Sequence, residues 1–462
     1  MPRLLPSELR DWSGGAWEGG EPARIDGVSN DSRTIRKDNL YFALKGPNFD
    51  GHAFIDEVFL KGAAASVVSR EWQGRGTSGK PLLRVADPAD ALRAAAASYR
   101  RKINPLVIAV TGSAGKSTVK EMIAQTLSKS FETSCTRGNW NNDIGLPLSM
   151  LGMTESARVG VFEVGMNHPG EITALCRILG PSWGIITNVG PVHIEFFDSI
   201  EGIANEKADL LRSLPAGGVS FLNRDMECFN TVRRAAPGET ISVSMKNDAD
   251  YLCRSWNAVR GEAVVVEKRT GESYPFKTKL RGEHNVANAM LAVAVARRHG
   301  MAWETIAQAL LNYDPLPMRW ETRDYRGAKI INDAYNANPL SMRAAIKAFD
   351  EENADGGKWL VLSGMLELGA GTEAEHVALG EYAGRLGYRM VAVGELGRLI
   401  ALGARRTGQR KEFLFECGSN AEAAELLAGS LRSGDAVLLK ASRGMKLEEI
   451  VQNLEKKKGA RQ

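Results

Sequence analysis

The chain has 462 residues, and at about 150 residues per domain this length predicts about three domains. Hydrophobic residues make up 44% of the chain and charged residues 25%, proportions that exclude a disordered or fibrous protein. The formal net charge is only +4, far from the strongly basic footprint of a typical nucleic-acid-binding protein.

No apolar stretch approaches the roughly 18 residues that cross a bilayer, and the N-terminal segment lacks the apolar core of a signal peptide. The five cysteines are widely spaced and form no CxxC pair: Cys135, Cys176, Cys228, Cys253 and Cys417. An odd number of scattered cysteines favours buried free thiols over disulfides or zinc. We therefore expect a cytoplasmic protein that does not insert into membranes.

The first hundred residues mix short strand-like runs with helical stretches. NLYFALKG, ASVVSR and PLLRVAD are typical of strands, whereas PADALRAAAASYRRK has the apolar spacing of a helix with a basic C-terminal end. Asn104-Pro105 then breaks the pattern, because the residue before a proline is pushed out of the helical region. We place the end of a first domain at residue 103.

The middle of the chain opens with LVIAV (106–110), a continuous apolar run typical of a strand buried on both faces. TGSAGKST (111–118) follows, and the apolar residues behind it recur at helical spacing. A strand, a glycine-rich loop and a helix form half of a parallel βαβ unit. VGVFEVG (159–165) and WGIITNV (183–189) predict two further buried strands.

Two prolines in LNYDPLPM (311–318) mark a second linker. Beyond it, the strand-like runs KIINDAY, WLVLSGM, YRMVAVG and DAVLLKA alternate with helical segments. Alternation of this kind predicts mostly parallel sheets covered by helices. The sequence thus predicts an α/β protein with three domains, at 1–103, 104–316 and 317–462.

The strongest functional signal is the loop 111–118, since a glycine-rich turn between a strand and a helix can bind phosphate. Its amides and the helix N-terminus attract an anion, Lys116 can reach terminal phosphates, and the Ser117 hydroxyl can bind Mg²⁺. Val110 replaces the first glycine of the usual eight-residue pattern, which leaves a shorter G-x-x-G-K-S. The context favours a nucleotide site over a plain turn. The sequence has no N/T-K-x-D guanine-reading motif, so ATP is the favoured nucleotide.

Two further residues are candidates for a metal site, each with a structural alternative, and a nearby lysine has no functional signal of its own. Glu163 ends an apolar strand, where a carboxylate is costly unless it meets a cation, although a salt bridge would also explain it. His193 follows another strand, but a lone histidine is more often a hydrogen-bonded structural residue. Lys207 lies in a predicted helix, and its local spacing predicts a solvated side chain.

Ten segments, spread over nearly the whole chain, form a recognisable series. In order they are VSNDSRTIRKDNLYFALKGPNFDGHAFI (28–55), TGSAGKST (111–118), TRGNWNNDIGLP (136–147), FEVGMNHPGEI (162–172), NVGPVHIEFFDSIEGIANEKADL (188–210), EHNVANAMLAVAVA (283–296), PMRWE (317–321), INDAYNANPLSM (331–342), GMLELG (364–369) and KASRGMKLEEIV (440–451). This series resembles the Mur ligases. DAYNANPLSM resembles the members that add a dipeptide, and the D-N/D-P-R signature of the diamino-acid-adding members is absent.

The resemblance implies a central P-loop ATP-binding domain with a parallel sheet, an N-terminal α/β domain for a UDP-substrate and a C-terminal Rossmann-like domain for the acceptor. It implies a monomeric, ATP- and Mg²⁺-dependent ligase that joins D-alanyl-D-alanine to UDP-N-acetylmuramoyl-tripeptide, through an acyl phosphate, in cytoplasmic peptidoglycan precursor synthesis. Nucleic acid is not an expected partner. The alternatives are another amide ligase of this superfamily, either diamino-acid-adding or folylpolyglutamate-type, and a non-enzymatic nucleotide switch.

The resemblance also implies roles for individual residues. The implied catalytic residues are Lys116, Glu163, His193 and Lys207, the last as a carbamylated lysine, and the implied Mg²⁺ ligands are Ser117, Glu163, His193 and Lys207. The implied ATP contacts are Gly112, Ser113, Ala114, Gly115, Lys116, Ser117, Thr118, Asn288, Arg319 and Asp333. The implied substrate contacts are Ser29, Asp31, Ser32, Lys45, Asp50 and His52 at the UDP end, then Asn139, Asn141 and Asn142, and finally Tyr335, Asn336 and Asn338. For the three asparagines at 139–142, a polar loop without a ligand is the structural alternative.

Overall fold

The computed structural model describes residues 3–74 and 79–459. Its first part holds α1 (Pro6–Ser13), β1 (Ala16–Glu18), β2 (Val28–Ser29), β3 (Leu40–Phe42), β4 (Lys45–Gly46), β5 (Phe49–Asp50), a 3-10 helix (Gly51–Phe54), α2 (Ile55–Leu60), β6 (Ala65–Ser69), β7 (Leu82–Val85) and α3 (Pro88–Ile103). The sheet order is β1-β7-β6-β3-β2, parallel except for β1, and β4 and β5 form a separate hairpin. Helix α3 ends at Ile103, and the next residue, Asn104, has a left-handed backbone (φ 52°) that stops the helix before the proline.

The second part builds the largest sheet. It contains β8 (Leu106–Thr111), α4 (Lys116–Leu127), β9 (Thr133–Cys135), α5 (Gly145–Met150), β10 (Val159–Glu163), α6 (Glu171–Leu179), β11 (Trp183–Ile186), a 3-10 helix (Ile194–Phe196), α7 (Ile200–Arg212), β12 (Val219–Asn223), α8 (Phe229–Arg234), β13 (Glu239–Ser244), β14 (Tyr251–Asn257), β15 (Glu262–Glu267), β16 (Ser273–Lys277), α9 (Glu283–Arg298) and α10 (Trp303–Leu311). The order is β16-β15-β14-β13-β12-β11-β8-β10-β9. The strands from β9 to β14 are parallel, and β14–β16 form an antiparallel meander.

The third part forms a six-stranded sheet. It contains β17 (Glu321–Tyr325), β18 (Ala328–Asn332), α11 (Pro339–Asp350), β19 (Lys358–Leu362), a 3-10 helix (Gly369–Gly371), α12 (Thr372–Gly384), β20 (Arg389–Val393), α13 (Gly394–Arg406), a 3-10 helix (Lys411–Phe413), β21 (Leu414–Cys417), α14 (Asn420–Ser430), β22 (Ala436–Lys440), a 3-10 helix (Arg443–Met445) and α15 (Glu448–Gly459). The order is β17-β18-β22-β19-β20-β21, parallel except for β17. The predicted α/β class with mostly parallel sheets is confirmed, whereas the boundaries at 103/104 and 316/317 stay predictions.

Three neighbouring strands position the site. β11, β8 and β10 lie side by side in parallel, so their carboxyl ends open at one edge of the sheet. The predicted strands at 106–110, 159–165 and 183–189 are confirmed as β8, β10 and β11. Ligand sites of open parallel sheets gather at this edge. In residues 3–74 and 79–459, none of the helices combines the length and the apolar character that a membrane span requires.

Candidate functional site

The glycine-rich loop joins β8 to α4 as the sequence predicts, and two of its glycines have positive φ. Gly112 has φ 150°, and a Cβ there would lie 2.0 Å from Oγ1 of Thr187. Gly115 has φ 78°, and a Cβ there would lie 2.9 Å from Oδ1 of Asn288. The loop is therefore wedged between the end of β11 and helix α9, where side chains at these two positions would not fit.

Asn188, which follows β11, holds the first half of the loop. The amide of Ser113 donates to the Asn188 carbonyl (3.1 Å), and the amide of Ala114 donates to the Asn188 side-chain oxygen (2.8 Å). These two amides are thus engaged within the protein, which leaves the phosphate-binding donors at the start of α4. That helix begins at Gly115 without a side-chain cap, and its first amides have no intrahelical acceptors. Sequence reasoning missed Asn188, although it stands inside the segment 188–210.

Glu163 ends β10 with a side chain that is almost fully buried (2% exposed). Its Oε2 accepts a hydrogen bond from the Ser117 hydroxyl (2.7 Å), and its Oε1 accepts one from Nδ2 of Asn141 (2.8 Å). The Glu163 amide donates to Oγ1 of Thr136 (2.9 Å), a contact that the sequence did not suggest. Two side chains thus fix the carboxylate beside the hydroxyl of the phosphate loop, and a third fixes the backbone that carries it.

Lys116, which is half-buried, lies near this carboxylate, and Lys207 lies near Lys116. Nζ of Lys116 donates to the carbonyl of Gly112 (2.8 Å), and burial lowers the pKa of Lys116, with Glu163 partly opposing the shift. Lys207 is only 1% exposed, so the prediction of a solvated side chain is wrong. The reason is tertiary, because α7 packs against α6, β8 and β11. Burial, and after it the charge of Lys116, lower the pKa of Lys207 well below its ordinary value.

The ammonium of Lys207 forms no hydrogen bond or ion pair with the residues that the structure describes, 3–74 and 79–459. The adjacent carboxylate of Glu206 accepts hydrogen bonds instead from the amides of Gly170 (2.8 Å) and Ile172 (3.0 Å) at the start of α6. A buried lysine without a partner is unfavourable as a cation. The site therefore favours the uncharged amine at this position.

His193 follows β11 in a left-handed backbone conformation (φ 52°). Its Nδ1 lies 2.5 Å from Oε2 of Glu367, which belongs to the loop after β19 in the third part of the chain. The two atoms are in contact without the alignment of a hydrogen bond, and burial lowers the pKa of His193, so at neutral pH the ring is uncharged and the contact is not an ion pair. Glu367 is a second residue that sequence reasoning missed. It lies in the recognised segment 364–369, but nothing in the sequence gave it a role of its own.

Residues of the third part also reach the phosphate loop. Nη2 of Arg319 donates to the Ser117 hydroxyl (3.3 Å), and the Arg319 guanidinium lies 4.2 Å from the ring centre of Tyr335. Nδ2 of Asn338 donates to the carbonyl of Ser113 (3.2 Å). The structure therefore brings these three predicted residues together with the loop.

Asp333 and Asn336 are held by a buried lysine. Nζ of Lys440 lies 2.8 Å from Oδ2 of Asp333 and donates to the carbonyl of Asn336 (3.1 Å). The other carboxylate oxygen of Asp333 accepts a hydrogen bond from the amide of Trp320 (3.1 Å). Asp333 thus fixes the backbone beside Arg319 in addition to facing the cleft.

A cleft of about 2540 Å³ connects these groups with the first part of the chain. Its lining includes Ser29, Asp31, Ser32, Ser113, Ala114, Gly115, Lys116, Ser117, Thr118, Asn139, Asn141, Asn142, Glu163, His193, Asn288, Arg319, Asp333, Tyr335, Asn336 and Asn338. Most of the predicted site residues therefore share one cavity.

Three predicted substrate residues, Lys45, Asp50 and His52, lie outside this lining. Asp50 lies 2.6 Å from Nδ1 of His52 and also accepts the His52 amide, and Nε2 of His52 accepts the amide of Ser69 (3.0 Å). The polar groups of Asp50 and His52 thus maintain the local fold. Asn142 has a structural contact too, because its side chain accepts the amide of Gly145 at the start of α5 (2.8 Å).

In residues 3–74 and 79–459, no group of three or more His, Cys, Asp or Glu side chains is arranged to hold a metal ion. Ser117 and Glu163 nevertheless present a hydroxyl and a buried carboxylate 2.7 Å apart. These hard oxygen donors suit Mg²⁺, which usually binds through one or two carboxylates together with substrate phosphates. The residues therefore fit a magnesium ion that is shared with a nucleotide.

Three family models match the chain. "Mur ligase family, catalytic domain" matches residues 24–100, "Mur ligase middle domain" matches 110–296, and "Mur ligase, glutamate ligase domain" matches 318–443. The phosphate loop, Glu163, His193 and Lys207 all lie in the second of these matches.

Curated relatives and solved structures match over nearly the full length. UDP-N-acetylmuramoyl-tripeptide–D-alanyl-D-alanine ligase of Bacillus subtilis (strain 168) is 36% identical, covering 94% of both chains, and that of Escherichia coli (strain K12) is 32% identical, covering 98% of this chain and 99% of the relative. MurF from Acinetobacter baumannii superposes with a TM-score of 0.87 at 29% identity, covering 99% of both chains. MurF from Thermotoga maritima in complex with ADP has a TM-score of 0.81 at 26% identity, covering 95% of this chain and 99% of that one. These matches cover nearly the whole chain, including the phosphate loop and the buried carboxylate, and they show that the chain belongs to the Mur ligase family.

Proposed function

We propose that this chain is an ATP-dependent amide ligase that joins D-alanyl-D-alanine to UDP-N-acetylmuramoyl-tripeptide in peptidoglycan precursor synthesis. The observation that carries the proposal is a single cleft in which a phosphate loop meets residues from all three parts of the chain. Such a cleft suits a reaction that brings a nucleotide and two other substrates together. The full-length relatives with this activity support the choice of substrates.

The reaction needs ATP because a carboxylate is a poor electrophile. The terminal carboxylate of the tripeptide attacks the γ-phosphorus of ATP, which gives an acyl phosphate and ADP. The amine of the dipeptide then attacks the acyl carbon and loses a proton, and inorganic phosphate leaves as the amide forms. Lys116, whose Nζ lies in the phosphate loop, and Arg319, which contacts Ser117 at the start of α4, stabilise the charge that builds up when the two anions approach.

We assign the magnesium site to Ser117, Glu163, His193 and a carbamylated Lys207. When bound, Mg²⁺ would supply positive charge against the phosphates of ATP. The Ser117 hydroxyl and the Glu163 carboxylate are already paired, and Asn141 holds the second carboxylate oxygen. The uncharged amine of Lys207 can add CO₂ and lose a proton, and the resulting anion would attract the metal where an ammonium would repel it.

The remaining cleft residues bind the substrates in this proposal. Ser29, Asp31 and Ser32 line the end formed by the first part of the chain, where the UDP group would bind. Tyr335 lies under Arg319 at the opposite end and would contact the acceptor side. Asn338 of the third part also contacts the phosphate loop directly, through the carbonyl of Ser113.

The first test offers ATP, Mg²⁺ and UDP-N-acetylmuramoyl-tripeptide with either D-alanyl-D-alanine or a single amino acid, and measures phosphate release and product mass. We expect release only with the dipeptide and one amide product of the corresponding mass. Parallel samples with lysine and diaminopimelate as the third residue identify the preferred tripeptide. Release with a single amino acid alone would contradict the proposal, and so would nucleotide binding without substrate-dependent phosphate release.

A second test separates two contacts of Asn338. Its Oδ1 caps α11 by accepting the amide of Ser341 (2.8 Å), whereas its Nδ2 donates to the carbonyl of Ser113 in the phosphate loop (3.2 Å). Serine caps helices about as well as asparagine but is too short to reach the loop. We expect Asn338→Ser to raise KM for ATP about 3- to 10-fold with little change in Tm, since one interdomain hydrogen bond is lost. An unchanged KM together with an unchanged Tm would assign Asn338 to capping alone, because serine keeps the cap.

A further inference from the structure

A loop of the third part is seated on the segment that carries His193. Oε2 of Glu367 lies 2.5 Å from Nδ1 of His193. Two residues further on, Gly369 approaches the short helix Ile194–Phe196 so closely that a Cβ there would lie 2.9 Å from Cβ of Glu195. The loop that carries Glu367 and Gly369 therefore packs directly on His193 and the short helix that follows it.

Both residues of this contact have unusual backbones. His193 has φ 52° and Glu367 has φ 63°, in the left-handed region that residues with a side chain adopt at a cost. Such conformations persist where the surrounding structure requires them, and they cluster at functional sites. The Glu367 side chain is 45% exposed, and even a fully charged pair that is this exposed contributes little to stability. Stabilisation of the interface between the two parts therefore does not explain why both residues keep a left-handed backbone conformation.

We propose that Glu367 is a positioning residue. When the third part closes on the metal site, the Glu367 carboxylate pairs with Nδ1 of His193 and thereby orients Nε2 toward the metal ion. The inference rests on the proposed function, because it takes His193 as a magnesium ligand. Histidines that bind metals usually pair their other ring nitrogen with a carboxylate or carbonyl, which fixes the tautomer and the ring orientation. Here that carboxylate comes from a loop of the third part, so the metal site is complete only when the third part closes on the phosphate loop.

The test measures Mn²⁺ binding in the presence of ADP, by the loss of the free-ion electron paramagnetic resonance signal, with the full chain. We expect Glu367→Gln to weaken Mn²⁺ binding about 10- to 100-fold, the usual effect of removing such a carboxylate partner. The matched control is Glu373→Gln, which changes an exposed glutamate in the first turn of α12 and leaves Mn²⁺ affinity unchanged. Thermal unfolding of every variant confirms that it is folded.

A double-mutant cycle shows whether Glu367 acts through His193. In a His193→Ala background, Glu367→Gln should cause no further loss of Mn²⁺ affinity. An equal loss in both backgrounds, or no loss in the single variant, would overturn the proposal. The readout needs no acceptor, so a failure of D-alanyl-D-alanine-dependent phosphate release would contradict the proposed function without deciding this point. Absence of Mn²⁺ binding by the unmodified chain with ADP would overturn both.

Discussion

We expect Lys207→Ala to lower acceptor-dependent phosphate release on the order of 10²–10³-fold, with no recovery when bicarbonate is added. The side chain is 1% exposed, and Lys116 lies close enough to lower its pKa further. These conditions favour an uncharged, nucleophilic amine, which can bond to the carbon of CO₂ and release a proton. Alanine has no amine, so the anion that balances Lys116 and Mg²⁺ cannot form.

The carbamate can be detected directly. With ¹³C-labelled bicarbonate, nuclear magnetic resonance should show a carbamate carbon in the unmodified chain and none in Lys207→Ala. Lys129→Ala is the matched control, since Lys129 is exposed beyond the end of α4, and its rate and spectrum should not change. Unchanged turnover in Lys207→Ala, or recovery of that variant by bicarbonate, would contradict the carbamate.

The parts of the site that could be predicted from the sequence are those encoded by neighbouring residues. A β-branched apolar run, a glycine-rich loop and helical spacing follow one another at 106–127, and together they predict β8, the loop and the start of α4. Glu163 stood out because a carboxylate in an apolar run needs a partner, and its partners proved to be Ser117 and Asn141. In both cases the signal lies within a few neighbouring residues: the strand–loop–helix pattern in the first case, and a carboxylate inside an apolar run in the second.

Other features depend on which elements pack together, and the local spacing of apolar and polar residues does not indicate that packing. Lys207 occupies an ordinary position in an amphipathic helix, and only the packing of α7 on α6 and two strands buries it. Glu367 meets His193 across two sheets, so no local pattern could pair them. Asp50 and His52 show the opposite case, because they lie in a recognisable segment but bond to each other and to Ser69.

Lys116→Met should have the other large effect, a fall in activity on the order of 10³-fold together with a gain in stability. Lys116 Nζ is directed into the loop at the start of α4, where the charge of the transferred phosphoryl group would build up. Methionine has a similar length and no charge, so transition-state stabilisation is lost. Burial lowers the pKa of Lys116 in the folded chain, which means that folding opposes the protonated lysine. Methionine carries no charge and therefore removes that penalty.

The sign of the stability change can be checked against pH. The folded pKa of Lys116 lies below the unfolded value of about 10.4, so the unfolded chain binds more protons between the two values and this group's contribution to stability rises with pH. The advantage of Lys116→Met should therefore be largest below the folded pKa and shrink as pH rises from there to the unfolded value. Urea unfolding at several pH values measures it, with Lys129→Met as the matched exposed control. A destabilised Lys116→Met at pH 7 would show that the hydrogen bond to the Gly112 carbonyl outweighs the cost of burying the charge, and normal turnover would remove Lys116 from the catalytic site.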